Sequence, residues 1–425
     1  MAGSGLGGAL VQHGGSIDTR EELVGALAVA AELEHFLLAQ YLFAAYSMKK
    51  RPSEGISERQ VELARRWEGV LLAVAREEMA HLAIVVNLST AVGGAPHFNR
   101  PNFPQRAGPV YPFDLRLQRF GLEAIRRFVR FEQPADAFPA AFRVEIAPDP
   151  VEFTFLGDLY RQIRAGLETL VSRFGEQWLF VGPAAAQDNQ DWGAGVVVSG
   201  VTDLSSAVAA IDDVVVAGEG SGQQREGSHW DRFRQVEARL VTELEQSPGF
   251  DPARNVAPDP ATRPHPDAHG QSTALPPGSL ALAVAELFNH VYSTMLFMLA
   301  QYYSFAGESV AQRAGLQAGA RRAMSAIARP LAEVLTEMPI DGGDGLRAGP
   351  GFETYGLVEL PSSQQARWAV LDERLERAAG ACRTLSGEPG LGRLTYLSEN
   401  LQLLLAAVRD LEAGTGREDL ARPRA

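Results

Sequence analysis

Acidic residues and histidines interrupt lines of apolar residues in four segments of this chain. In "LLAVAREEMAHLAIVV" the residues Leu71, Val74, Glu78, His81, Val85 and Leu88 step by three and four, so a helix would place them on one face. Glu78 and His81 then point where the leucines and valines point. A buried carboxylate is costly unless something pairs with it, and a metal ion satisfies glutamate and histidine together.

The segment before it repeats the arrangement. Leu27, Ala31, Glu34, Leu38, Tyr41 and Ala45 share a stripe that Glu34 interrupts. If the two helices close as a hairpin around Pro52, Glu34 lies ~24 Å and Glu78 ~30 Å from the turn at ~1.5 Å per residue, so the two carboxylates can meet. Further on, "VVVAGEGSGQQREGSHWDRFRQVEARL" places Glu219 at the end of a stripe with Val208, Ile211 and Val215. Glu226 and His229 there open a second stripe with Phe233, Val236 and Leu240. One glutamate from each of two helices and a Glu-x-x-His from each of two others is the ligand set of di-iron and di-manganese carboxylate bundles.

The expected metal ligands are therefore Glu34, Glu78, His81, Glu219, Glu226 and His229, holding two iron ions, with manganese as the other metal. The place of Glu226 depends on helix phase, because Ser228 with Asp231 can itself cap the last helix and leave Glu226 in a loop. Glu286 and His290, spaced by four, form a second pair able to chelate or to serve a helix surface. Tyr41, two turns from Glu34, is positioned to hydrogen-bond a ligand or relay an electron, a catalytic role that core packing rivals. His265 and His269 fall in Pro- and Gly-rich stretches and are expected in solvent, as is His13.

These residues require long helices, and the chain signals them. Thr19 with Glu22 and Ser57 with Gln60 form capping boxes that start helices running to about Lys50 and Val92. Further helices are expected at about 117–131, 153–174, 203–220, from 222 or 228 to 245, 279–305, 309–338, 362–385 and 393–413, with a short extended piece near 195–201. Mainly α architecture follows. The expected division is a loose N-terminus (1–18), a metal-binding four-helix bundle (19–246) with a long crossover insertion (95–202), a Pro-rich linker (247–278), a C-terminal helical region packed on the bundle (279–413) and a frayed tail (414–425).

Composition narrows the partners. The 425 residues carry 39 basic and 52 acidic side chains, a net charge of −13, which argues against a nucleic-acid or anionic membrane partner. The single cysteine, Cys382, rules out an internal disulfide or a Cys-based cluster. The N-terminal stretch lacks the basic and apolar regions of a secretion signal, and the expectation is a soluble, cytoplasmic protein.

The segments "ELEHFLLAQYLFAAYSM", "REEMAHLAIVVNLSTAVGGAP", "GDLYRQIRAGLETL", "VAGEGS", "SHWDRF" and "AGPGFETYGLVELP" resemble the ferritin-like domain of the iminophenyl-pyruvate dimer synthase group, over most of residues 19–385. That resemblance implies Glu34, Glu78, His81, Glu219 and His229 as ligands, with Glu226 subject to helix phase. It also implies a ferritin-like fold and an oxidoreductase that uses O2 or peroxide on a small, amino-acid- or aryl-pyruvate-imine-derived substrate. The rivals are a ferritin-like metal-storage protein and a dimanganese catalase-like enzyme. A homodimer is compatible with either class. The aromatic stretch Phe98 to Phe113 and the C-terminal helices are expected to wall the pocket.

Overall fold

The computed structural model describes residues 17–108, 110–134, 156–191, 197–218, 226–265, 268–304, 307–340, 345–355 and 359–414. Its contacts divide the chain into two compact units, residues 1–100 with 104–253, and residues 101–103 with 254–425.

The first unit is built on two long helices, α1 (Arg20–Ser47) and α2 (Glu58–Ala91). Both start at the expected capping boxes: Thr19 accepts from the Glu22 N–H and Ser57 from the Gln60 N–H, while Glu22 and Gln60 reach back to the cap backbone. Pro52 and Gly55, the latter at φ 82°, turn the chain between them. The two pair along their lengths as a hairpin. From Val29 to Ser47 every α1 residue but Glu32 is buried, so α1 is a core helix and not an amphipathic surface one. Glu32 is held by His97 (3.1 Å) and Tyr111 (2.5 Å).

Among the described residues four longer helices join them, α3 (Leu122–Phe131), α4 (Leu156–Phe174), α5 (Leu204–Gly218) and α6 (His229–Gln246), beside a single helical turn at Glu176–Leu179. Helix α3 packs on α6, and α4 packs on α1 and α5. The extended piece is confined to an antiparallel pair of two-residue strands, β1 (Gln190–Asp191) and β2 (Val197–Val198). Asn87 of α2 fixes this segment by donating to the Asp188 (2.8 Å) and Ser199 (3.0 Å) carbonyls and accepting from the Asp188 N–H (2.8 Å).

The second unit contains α7 (Leu280–Tyr303), α8 (Val310–Arg322), a π-helical turn over Ala323–Ala328, α9 (Arg329–Leu335), α10 (Gln364–Ser386) and α11 (Leu394–Glu412). Residues 254–265 and 268–278 contain no helix; two short parallel strands, β3 (Pro260–Ala261) and β4 (Thr273–Ala274), tie them together. Helix α7 is long and apolar enough to cross a membrane by length and composition, but 67% of its apolar stretch is buried inside the protein, where α8 and α10 cover it. Cys382 is a buried free thiol that donates to the Leu394 carbonyl, and burial pushes its pKa up to about 11.

Candidate metal centre

Five ionisable side chains from four helices of the first unit converge in its core. Helix α1 brings Glu34, α2 brings Glu78 and His81, the residue that ends α3 brings Glu132, and the first residue of α6 is His229. All five are at most 4% exposed. Glu78 lies at the centre. One of its oxygens is 3.0 Å from His81 Nδ1 and the other 2.7 Å from His229 Nδ1. The two imidazole rings face each other at 5.4 Å between centroids, inclined by 25°.

Each flank repeats one motif, a carboxylate held by a tyrosine on one oxygen and facing a histidine with the other. Tyr160 of α4 donates to Glu34 Oε1, while Glu34 Oε2 stands 3.7 Å from His81 Nδ1. Tyr41 of α1 donates to Glu132 Oε1 (2.5 Å), while Glu132 Oε2 stands 3.6 Å from His229 Nδ1. Edge-on contacts with Phe128 and Phe233 fix the Tyr41 ring. Behind His229, Glu77 accepts from its Nε2 (2.9 Å) and is clamped by Arg232, which fixes the ring orientation as outer carboxylates do at metal sites.

The electrostatics follow from this crowding. Burial and the neighbouring Glu78 charge push Glu34 up to about 8, and the same two causes raise Glu132. Burial opposes the charge on Glu78 too, yet His229 and His81 outweigh it and hold this carboxyl well below the usual range. Against their own burial, His81 is raised to about 9 and His229 well above its ordinary value, Glu78 being the main cause. Glu77 is likewise disfavoured by burial, but hydrogen bonds from His229 and Arg232 bring it down to about 2. Tyr41 and Tyr160 are pushed up by burial and by the adjacent carboxylates, so both remain neutral donors.

Hydrogen bonding within the protein leaves this cluster unfinished. Glu34 Oε2, Glu78 Oε1 and His229 Nδ1 are buried without a hydrogen bond; the 2.7 Å approach of the last two is close but not aligned as one. Orphaned buried acceptors are costly, and a cation satisfies several at once. Ligating atoms of Glu78, His81 and His229 lie within 4.8 Å of one another, a group able to hold a metal ion. Beside them is a cavity of about 20 Å³ bounded by Glu34, Glu132, Tyr160 and Val214, room for about one water-sized body. Gly218 borders it, and a Cβ there would stand 3.2 Å from Glu132 Oε2, tighter than most such contacts, so glycine leaves room for that carboxylate.

The structure thus brings together Glu34, Glu78, His81 and His229. Glu219 lies outside the described residues. Glu226 is not in the cluster: Ser228 caps α6 by accepting from the Asp231 N–H, which makes His229 the first helical residue and leaves Glu226 exposed in the preceding turn. The buried line of α5 is Ala207, Ala210, Ile211 and Val214, about one residue round from the expected Val208–Val215 stripe, because α5 packs on both α2 and α4. Glu132 was missed because "RFEQP" ends a helix and shows no periodic stripe; the mark it did leave was an acid placed directly after two buried aromatics, Phe128 and Phe131. Besides Glu34 of α1 and Glu78 and His81 of α2, the cavity wall comes from α3, α4 and α5, whereas Tyr111 packs on Phe36 and Phe113 on Phe131. His290 spends Nε2 on the Arg374 carbonyl (2.8 Å), and Glu286 is exposed; among the described residues that pair joins no metal-binding group.

Residues 27–238 match the ferritin-like family model, and the chain belongs to the ferritin-like family through this domain. Its curated relatives include the dichlorochromopyrrolate synthase of Lentzea aerocolonigenes, 31% identical over 89% of this chain. Another is the 2-imino-3-(indol-3-yl)propanoate dimerase of Chromobacterium violaceum, 28% identical over 79% of it. The alignments span 40% and 34% of the lengths of those two proteins. A crystal structure of a ferritin like protein from Caulobacter vibrioides aligns with 68% of this chain and 89% of its own at 20% identity, with a TM-score of 0.45.

Proposed function

We propose that this chain is a non-haem dinuclear iron oxidoreductase that uses O2 or peroxide to oxidise a small organic substrate. The observation that carries this reading is the doubled arrangement about Glu78: two carboxylate–tyrosine–histidine flanks meet on one central glutamate, with oxygens of Glu34 and Glu78 left orphaned. Glu34, Glu78, His81, Glu132 and His229 would hold the pair of ions, with Glu219 as the remaining expected ligand. When bound, such a pair supplies the two-electron reduction of O2 or peroxide. The chain's own contribution is positional. Tyr160 and Tyr41 hold one oxygen of each flanking carboxylate, Glu77 and Arg232 orient His229, and burial keeps bulk water away from the reacting atoms.

The relatives' names support an amino-acid-derived imine as the substrate, of the aryl-pyruvate type. Oxidative coupling of two such molecules balances as one carbon–carbon bond formed, one hydrogen lost from each partner, and two electrons and two protons passed to peroxide to give two waters. Protein produced with supplementary iron should carry about two irons per chain, absorb in the near ultraviolet, and consume an aryl-pyruvate imine only when oxidant is present. A colourless, metal-free preparation ends the proposal. Manganese together with rapid O2 release from peroxide would assign the dimanganese class instead, and iron far beyond two per chain in a shell-sized assembly would assign storage.

A further inference from the structure

The second unit holds a separate cavity of about 550 Å³ between α7, α10 and the loops carrying Thr262 and Tyr355, within the size range of small-molecule sites. Its floor is apolar, from Leu287 of α7 and Ala378, Ala381 and Leu385 of α10. Around it stand Arg263, Arg377, Glu286, His290 and Tyr355.

Tyr355 is fixed there by groups buried behind it. Its hydroxyl contacts Thr262 Oγ1 (2.9 Å) and accepts from Asn289 Nδ2 (3.0 Å). Both partners are held by the carboxylate of Glu353, which is 2% exposed and accepts from Asn289 (2.5 Å), from the Thr262 hydroxyl (2.8 Å) and N–H (3.1 Å), and from His265 Nε2 (2.5 Å). His265, expected in solvent, is instead half-buried and bonded to Glu353; the Pro-rich composition around it concealed this. The backbone is shaped for the same purpose. Phe352 adopts φ 49° and packs edge-on between Phe288 (5.1 Å) and Tyr292 (5.4 Å), anchoring the loop that carries Glu353 and Tyr355. A tyrosine that is 39% exposed needs no such buried apparatus to remain at a surface, so the network orders a wall of the cavity.

The two arginines around it, Arg263 and Arg377, have no ion-pair partner among the described residues. Arg263 lies over the Tyr355 ring at 4.0 Å. His290 donates Nε2–H to the Arg374 carbonyl (2.8 Å), and burial with the nearby Arg374 and Arg377 charges keeps the ring neutral, leaving Nδ1 as an acceptor. Among the described residues, Glu286 is the one acid lining the cavity.

We propose that this cavity binds a small organic monocarboxylate with a flat apolar body. Arg263 and Arg377 take the carboxylate, the body lies on the α7–α10 floor against Tyr355, and a donor on the ligand meets His290 Nδ1. Glu286 excludes a second anionic group. The site shares no residue with the metal cluster and stands without the function proposed above.

Calorimetric titration of the metal-loaded full chain with indole-3-acetate tests it. Saturable one-to-one binding is expected, with indole-3-acetamide weaker by about tenfold or more, since it lacks the charge. Replacing Arg263→Gln together with Arg377→Gln should weaken the acid by a similar factor without changing helicity or metal content. Glu286→Gln should admit phenylsuccinate, a dicarboxylate that the native chain rejects. Binding should persist in a Glu78→Ala, His81→Ala variant; its loss there would place the ligand at the metal centre and overturn the proposal. No saturable heat, equal affinity for acid and amide, or indifference to the arginine replacements would overturn it as well.

Discussion

Each unit buries a glutamate beside a histidine, and the two differ in how their polar atoms are satisfied. In the second unit Glu353 accepts from Thr262, His265 and Asn289, and both its oxygens have protein donors. In the first, Glu78 and Glu34 each keep an oxygen without a donor, with His229 Nδ1 orphaned among them. A Glu–His pair inside a protein therefore does not by itself signify a metal. The complete inventory of donors and acceptors does, because a closed network has no place for a cation and an open one calls for it.

Substitutions should separate the two regions. The largest effect is expected from Glu78→Ala with His81→Ala, which should abolish stoichiometric metal uptake, read by elemental analysis, while far-ultraviolet helicity is largely retained. Full loading of that variant would mean that the ligands lie elsewhere and that the open network about Glu78 does not take a cation. Glu353→Gln should leave metal uptake unchanged and cost about 1–3 kcal/mol in denaturant unfolding, because buried donors lose a charged acceptor. Altered metal content in Glu353→Gln would show the two networks to be coupled.

A smaller effect is expected from pH on chelator-treated protein. Glu34, raised from 4.5 to about 8, and His81, raised from 6.5 to about 9, hold protons in the folded state that the unfolded chain releases. Their stabilisation is complete below the unfolded values and is lost as pH rises through the folded ones. The melting temperature of the metal-free chain should therefore fall by several degrees between about pH 6 and about pH 9. Metal loading should flatten that slope, since bound ligands carry no proton to lose. A metal-free melting temperature that rises over this window would contradict the assigned electrostatics.

Much of this was legible in the residues. Capping boxes at Thr19 and Ser57 fix where α1 and α2 begin through contacts only three residues apart, and the hairpin length then brings Glu34 and Glu78 to one depth by helical rise alone. His81 and His229 were visible because an imidazole on an apolar stripe breaks a regular pattern. Local spacing and burial periodicity are properties of the chain itself, and the sequence determined them.

What needed the tertiary structure was every contact whose partners have no common period. Glu132 enters the cluster from a helix end because α3 packs on α6, and nothing in "RFEQP" states which helix it meets. Glu226 leaves it because the Ser228 cap sets where α6 starts, a choice between two plausible phases that packing of His229 decides. His265 joins Glu353 across 88 residues of chain, a distance over which composition says only loop. Helical periodicity is short-ranged and can be read along the chain. Which buried acid meets which imidazole depends on the packing of whole elements, and only the fold decides it.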